Sequence, residues 1–106
     1  SLMVLLSLSG LDLKEFYFRG FLPAKTELRQ QALQGLKKMN VPIVLMDTPY
    51  RFQTFLKDLM DAFPDHRTVL GLDLTQESEQ ILTGPLKSLK LSELPEKAEF
   101  ILILHK

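Results

Sequence analysis

The sequence predicts an α/β fold, a single domain with a mixed sheet of about five strands flanked by helices on both faces. Three observations carry that prediction. Segments with strand and helix signatures alternate along the chain in the order β-α-β-α-β-β-α-β. Ile43-Val44-Leu45-Met46 and Phe100-Ile101-Leu102-Ile103-Leu104 are unbroken apolar runs, the pattern of strands buried on both faces. Between them, Phe52, Phe55, Leu56, Leu59, Met60 and Phe63 recur at three- and four-residue spacing, the stripe of an amphipathic helix.

In chain order, residues 4–11 read as the end of a helix begun upstream and closed by Gly10. Residues 15–22 are aromatic and extended, hence a strand. Pro23 interrupts it, and Thr26 is placed to cap the next helix. Leu28, Ala32, Leu36 and Met39 form that helix's apolar stripe, with Asn40 as its stop. After the strand at residues 43–46, Thr48 is the expected N-cap. Pro49 is the expected first helical residue, where its missing N–H costs nothing. Residues 68–74 form another buried strand. Residues 80–83 form a shorter one, suited to antiparallel pairing. Gly84-Pro85 turns into a short helix reaching Leu89, residues 95–98 form a loop, and residues 99–105 form the final strand.

Composition narrows the chemistry. At 106 residues the chain is one domain, and its 45% hydrophobic and 25% charged content are globular averages. Thirteen basic and thirteen acidic side chains cancel, so no bulk charge favours polyanions. With no cysteine there is no disulfide framework, thiolate nucleophile or zinc-cysteine site. Glycines occur singly, so no Gly-rich phosphate loop is present. His66 and His105 lack metal-ligand spacing, and no metal site is expected. Glu77 and Glu79 read as solvated acids in a turn. No apolar run reaches the length of a membrane span, and the apolar residues 2–8 lack the basic flank of a signal peptide.

Two segments at strand ends are better candidates, because ligands in open α/β sheets bind at the carboxyl ends of strands. In Phe18-Arg19-Gly20-Phe21-Leu22-Pro23-Ala24-Lys25, turn chemistry accounts for the Gly and Pro, and Lys25 is placed to meet an anion. In Asp47-Thr48-Pro49-Tyr50-Arg51, capping accounts for the first three residues. It does not require Tyr50, which can stack on a base, or Arg51, which can fork onto phosphate or carboxylate.

Taken in order, these segments resemble the C-terminal half of the tetrapyrrole (corrin/porphyrin) methylase superfamily, nearest to the branch that methylates rRNA ribose 2′-hydroxyls. Ser7-Leu8-Ser9-Gly10-Leu11 is similar to the family's Leu-Ser-Gly-Leu segment, and Phe18-Arg19-Gly20-Phe21-Leu22-Pro23 to its Phe-x-Gly-Phe-Leu-Pro strand end. Asp47-Thr48-Pro49-Tyr50-Arg51 resembles Glu-Ser-Pro-His-Arg of the rRNA enzymes. Leu74-Thr75, Glu79, Gly84 and Leu86 keep the spacing of the Glu-Leu-Thr-Lys…Glu-Glu…Arg-Gly-x-Leu stretch. Glu99-Phe100-Ile101-Leu102-Ile103 is similar to the closing Gly-Glu-Phe-Val strand. Several of the family's basic positions are neutral here: Leu72, Gln76 and Thr83 stand where it has Arg, Lys and Arg. The basic cluster after the Leu-Pro turn is reduced to Lys25 and Arg29.

The resemblance implies an S-adenosylmethionine-dependent methyltransferase, cytoplasmic and homodimeric. Residues 1–11 would follow a missing N-terminal domain, and residues 12–106 would form the C-terminal domain. It implies cofactor contacts around Met46, Gly71, Leu72 and Ala98, and substrate contacts at Lys25, Tyr50 and Arg51. The small ribosomal subunit is the implied partner, and no catalytic base is identified. Two alternatives stay open: a methyltransferase of the same fold acting on a tetrapyrrole or other small molecule, and a noncatalytic receiver-like module with Asp47 at a strand end.

Overall fold

A computed structural model of the chain describes residues 15–74 and 76–106. Strand β1 (Tyr17–Gly20) leads to helix α1 (Thr26–Leu36), then strand β2 (Ile43–Asp47). A 3-10 turn at Pro49–Arg51 runs into helix α2 (Phe52–Ala62). Strands β3 (Arg67–Leu72) and β4 (Gln80–Pro85) follow, then two 3-10 turns, Leu86–Ser88 and Leu91–Glu93, and strand β5 (Phe100–His105). The helical end expected over residues 4–11 lies outside the described residues.

The five strands form one mixed sheet in the order β1-β2-β5-β3-β4. The β1–β2 pair is parallel, whereas β5 runs antiparallel to both β2 and β3. An antiparallel strand in mid-sheet rules out the all-parallel receiver architecture. Strand β4 pairs antiparallel with β3 along its whole length. Gly84 and Pro85 therefore finish a strand, and the expected short helix is the 3-10 turn after them.

Both described helices pack on one face. There Leu33 and Leu36 of α1 and Phe52, Phe55, Leu56 and Leu59 of α2 join Ile43, Leu45, Leu70, Leu72, Phe100, Leu102 and Leu104 in the main core. Phe100 lies under α2, its ring centroid 4.9 Å from that of Phe52 and 5.0 Å from that of Phe55. On the other face Val44, Val69 and Ile103 form a second buried cluster. That both faces are buried explains the continuous apolar runs.

Helix α1 departs from its expected stripe. Leu28 is 48% exposed, and the buried positions are Arg29, Leu33 and Leu36. The helix turns an arginine inward because a partner awaits it. Arg29 Nε donates to Asp58 Oδ2 of α2 at 2.6 Å, and its Nη1 donates to the Ala24 carbonyl at 2.9 Å. The expected caps also shift. Lys25, not Thr26, occupies the N-cap of α1, and neither it nor Thr48 makes a side-chain capping bond. Pro49 does begin the helical segment after β2, as 3-10 rather than α-helix.

Gly20 is required where it stands. Its φ is +74°, a conformation that side-chain-bearing residues rarely adopt, and the β1–β2 register slips between Phe18 and Gly20. A Cβ there would lie 3.3 Å from the Phe18 ring. Gly20→Ala is expected to lower stability by about 1 kcal/mol or more. An unchanged urea midpoint would contradict this.

At the opposite end of the sheet, His66 packs edge-on against Phe63, ring centroids 4.9 Å apart. Burial holds its imidazole below the ordinary value of 6.5. The positive charge of Lys106 adds to this, Asp65 opposes it, and His105 contributes in the same direction as Lys106. The unfolded chain therefore binds the proton first. Stability is full above about pH 6.5 and is lost as the pH falls through the lower folded-state value. His66→Gln should flatten the urea midpoint between pH 7.5 and 5.5. An equally steep decline in the variant would remove His66 from the account.

Candidate functional site

Strands β1, β2 and β3 point the same way, since β1 is parallel to β2 and β5 opposes both β2 and β3. Their carboxyl ends therefore lie along one edge of the sheet. The register fixes the level: Asp47, Phe100 and Leu72 sit side by side, with Gln80 beyond. This edge gathers the β1–α1 turn, the Asp47–Arg51 segment, residues 73, 74 and 76–79, and residues 95–99.

Asp47 closes β2 with its side chain 3% exposed. Its Oδ1 accepts a hydrogen bond from the Thr48 backbone N–H at 2.6 Å and an ion pair from Arg51 Nη2 at 2.7 Å. The acidic residue thus fixes both the turn and the arginine four positions on. Arg51 keeps 33% of its side chain exposed. Arg29, Asp47, Arg51, Thr54 and Phe55 enclose only about 10 Å³, no more than one water needs. Nothing larger binds inside this cluster, and Arg51 is available only from its solvent side. Arg29 is spent on Asp58, so of the two basic residues after the Leu-Pro turn only Lys25 is exposed.

Tyr50 is 77% exposed, beside Arg51 in the 3-10 turn. Lys97 Nζ lies 4.7 Å from the centroid of its ring, a cation–π contact. The segment carrying Lys97 is tied down by Gln53 of α2, whose Nε2 donates to the carbonyls of Leu91, Leu94 and Pro95 at 3.1, 3.3 and 2.8 Å.

Four residues were expected at a cofactor. Met46 and Gly71 both pair with Ile101, on β2 and β3 respectively, so the three lie in a row on the face away from the described helices. Gly71, Leu74, Glu99, Phe100 and Ile101 line a pocket of about 120 Å³ there. Leu72 points to the other face and is buried in the main core. Ala98, 5% exposed, joins that core just before β5. The structure thus brings Met46 and Gly71 together and separates them from the side chains of Leu72 and Ala98.

Asp73, Gln76 and Ser78 are held in place at the same edge. The Asp73 N–H donates to the Glu99 carbonyl at 2.9 Å, and Ser78 Oγ donates to Asp73 Oδ2 at 3.1 Å. Gln76 Nε2 donates to Glu99 Oε2 at 3.2 Å. Sequence reasoning missed Gln53, Lys97 and Glu99. Gln53 and Lys97 lie in unrelated segments, and no spacing rule joins them. Among the described residues no group of three or more metal-ligating side chains occurs, and no helix is long and apolar enough to cross a membrane.

No protein-family model matches the sequence. Curated proteins do match it. A ribosomal RNA small subunit methyltransferase I from Neisseria meningitidis serogroup B is 28% identical over 109 residues, covering 99% of this chain and 38% of the relative. Proteins of the same name from Vibrio cholerae and Xylella fastidiosa are each 33% identical, covering 94% and 99% of the chain. This chain is a homologue of those methyltransferases, within the tetrapyrrole methylase superfamily. It spans 36–40% of the length of these three relatives. The fold agrees: the crystal structure of the methyltransferase CobJ superposes with a TM-score of 0.69 at 10% identity, over all of this chain and 47% of CobJ.

Proposed function

We propose that residues 12–106 form the C-terminal domain of a cytoplasmic, homodimeric, S-adenosylmethionine-dependent methyltransferase that modifies a ribose 2′-hydroxyl of small-subunit rRNA. Residues 1–11 would link it to an N-terminal domain. The observation that carries this reading is near-complete coverage of the chain by proteins named as small-subunit ribosomal RNA methyltransferases, at about one third identity.

The Gly71 pocket suits one part of the cofactor. Its walls combine Ile101 and Leu74 with strand backbone, which can face a flat aromatic base, and the glycine leaves room for close approach. Met46 and Gly71 would flank the cofactor across Ile101. Leu72 and Ala98 would contribute backbone only, because their side chains are committed to the core. When bound, S-adenosylmethionine supplies an electrophilic methyl group. The residues of this chain act by holding the acceptor in line with it, and positioning of this kind is a large source of rate. Lys25, Tyr50 and Arg51 would hold the RNA. Asp47 keeps the Arg51 guanidinium from rotating away, and Arg51 then presents its remaining N–H donors to phosphate. The exposed aromatics Tyr17 and Phe18 on β1, with Phe16 and Phe21 flanking it at the sheet edge, support association with a second copy.

Methyl transfer from labelled cofactor to purified small ribosomal subunits by the full-length protein tests the reading. Arg51→Ala should reduce kcat/KM by about 10- to 100-fold, the loss of one charged hydrogen-bond set. The 106-residue chain alone should transfer nothing. Transfer to porphyrin precursors but not to subunits would replace rRNA with a tetrapyrrole acceptor.

A further inference from the structure

Tyr50 is the most exposed of the large apolar side chains in the described part of the molecule, and it stands where ligands of open α/β sheets bind. Lys97 reaches it from a segment held on both sides. Gln53 grips three carbonyls just before it, and Ala98 and Phe100 are buried just after it, Phe100 between the rings of Phe52 and Phe55. The ammonium is therefore delivered to the ring by the fold. The nearby arginines are each held by a carboxylate, Arg29 by Asp58 and Arg51 by Asp47. Lys97 meets a ring instead of a carboxylate, so it can turn to a phosphate without giving up an ion pair.

We infer that Tyr50 and Lys97 together form a stacking subsite for one unpaired nucleotide of an RNA substrate, resting on the rRNA reading above. The phenol ring takes the base on its open face, and the Lys97 ammonium takes the adjoining phosphate. Aromatic stacking beside a cation is how single strands are held without regard to sequence. The subsite explains how the protein can grip RNA although Leu72, Gln76 and Thr83 carry no charge.

The test is binding of a fluorescein-labelled oligouridine to the full-length protein, by anisotropy across a salt series. Tyr50→Ala should weaken binding about ten-fold, and Tyr50→Phe should bind nearly as wild type because the ring remains. Lys97→Ala should flatten the slope of log affinity against log salt by about 0.7, the value for one phosphate contact on a single strand. Lys97→Arg should restore it. Lys37→Ala, at the far end of α1, should match wild type. Thermal midpoints within a degree or two of wild type will separate these effects from unfolding. Wild-type binding with Tyr50→Ala and Lys97→Ala both unchanged overturns the subsite and leaves the rRNA reading standing. Failure of the wild type to bind either oligouridine or small subunits at low salt overturns both.

Discussion

Phe52→Ala is expected to cost about 3–5 kcal/mol of folding stability at 25 °C, a large share of the total. The Phe52 ring is fully buried at the first turn of α2 and contacts Phe100 at the start of β5. Removing it opens a cavity between helix and sheet that neighbours on two rigid elements cannot fill. Such truncations cost about 3–5 kcal/mol, and domains of this size have about 5–15 kcal/mol in all. Phe52→Leu retains most of the volume and should cost about 1.5 kcal/mol. Urea unfolding followed by circular dichroism measures both. A loss below 1 kcal/mol for the alanine variant would mean that α2 repacks freely. The site should suffer too, because Phe52 supports the base of the segment carrying Lys97.

The second large effect concerns the Arg29–Asp58 pair, with side chains 11% and 17% exposed. Asp58→Ala should cost about 3 kcal/mol or more, since it leaves a buried guanidinium with only the Ala24 carbonyl. Replacing both partners, as Arg29→Met with Asp58→Leu, should be close to neutral or stabilising, because no uncompensated charge remains. The sign of this difference is the test. If the double variant is as unstable as the single one, the pair contributes geometry that apolar packing cannot reproduce. RNA binding should be unaffected by the double change, as Arg29 faces inward.

Parts of this architecture were legible in the sequence for physical reasons. Strands β2 and β5 are buried on both faces, and uninterrupted apolar runs report that directly. Helix α2 reads cleanly because its buried face holds only apolar residues. Helix α1 does not, because Arg29 occupies a core-facing position and shifts the apparent stripe onto Leu28. The Asp47–Arg51 segment could be found as a unit, since its ion pair spans four residues. Its internal purpose, holding the arginine, becomes visible only with the 2.7 Å contact. Met46 and Gly71 are named together only through the family resemblance, and no local pattern shows that they are neighbours. Their adjacency depends on β5 lying between β2 and β3, and that order follows from long-range pairing. The opposite orientation of Leu72 follows from the alternation along β3 once that register is known. Lys97 and Gln53 carry no motif at all.

The placement of β5 also shapes how the sheet is assembled. Among the described strands it emerges last from the ribosome, yet it belongs in the middle. Before it arrives, the chain can form a β1–β2 unit and a β3–β4 hairpin, each with one open, apolar edge. These two halves have no hydrogen bonds to each other until β5 joins them, from more than fifty residues beyond β2. Long-range closure of this kind is slow. During that interval two sticky edges are presented to other chains, the situation in which nascent α/β proteins pair wrongly or call on chaperones. Variants that weaken β5 should therefore reduce soluble yield during synthesis more than their effect on the finished protein would suggest.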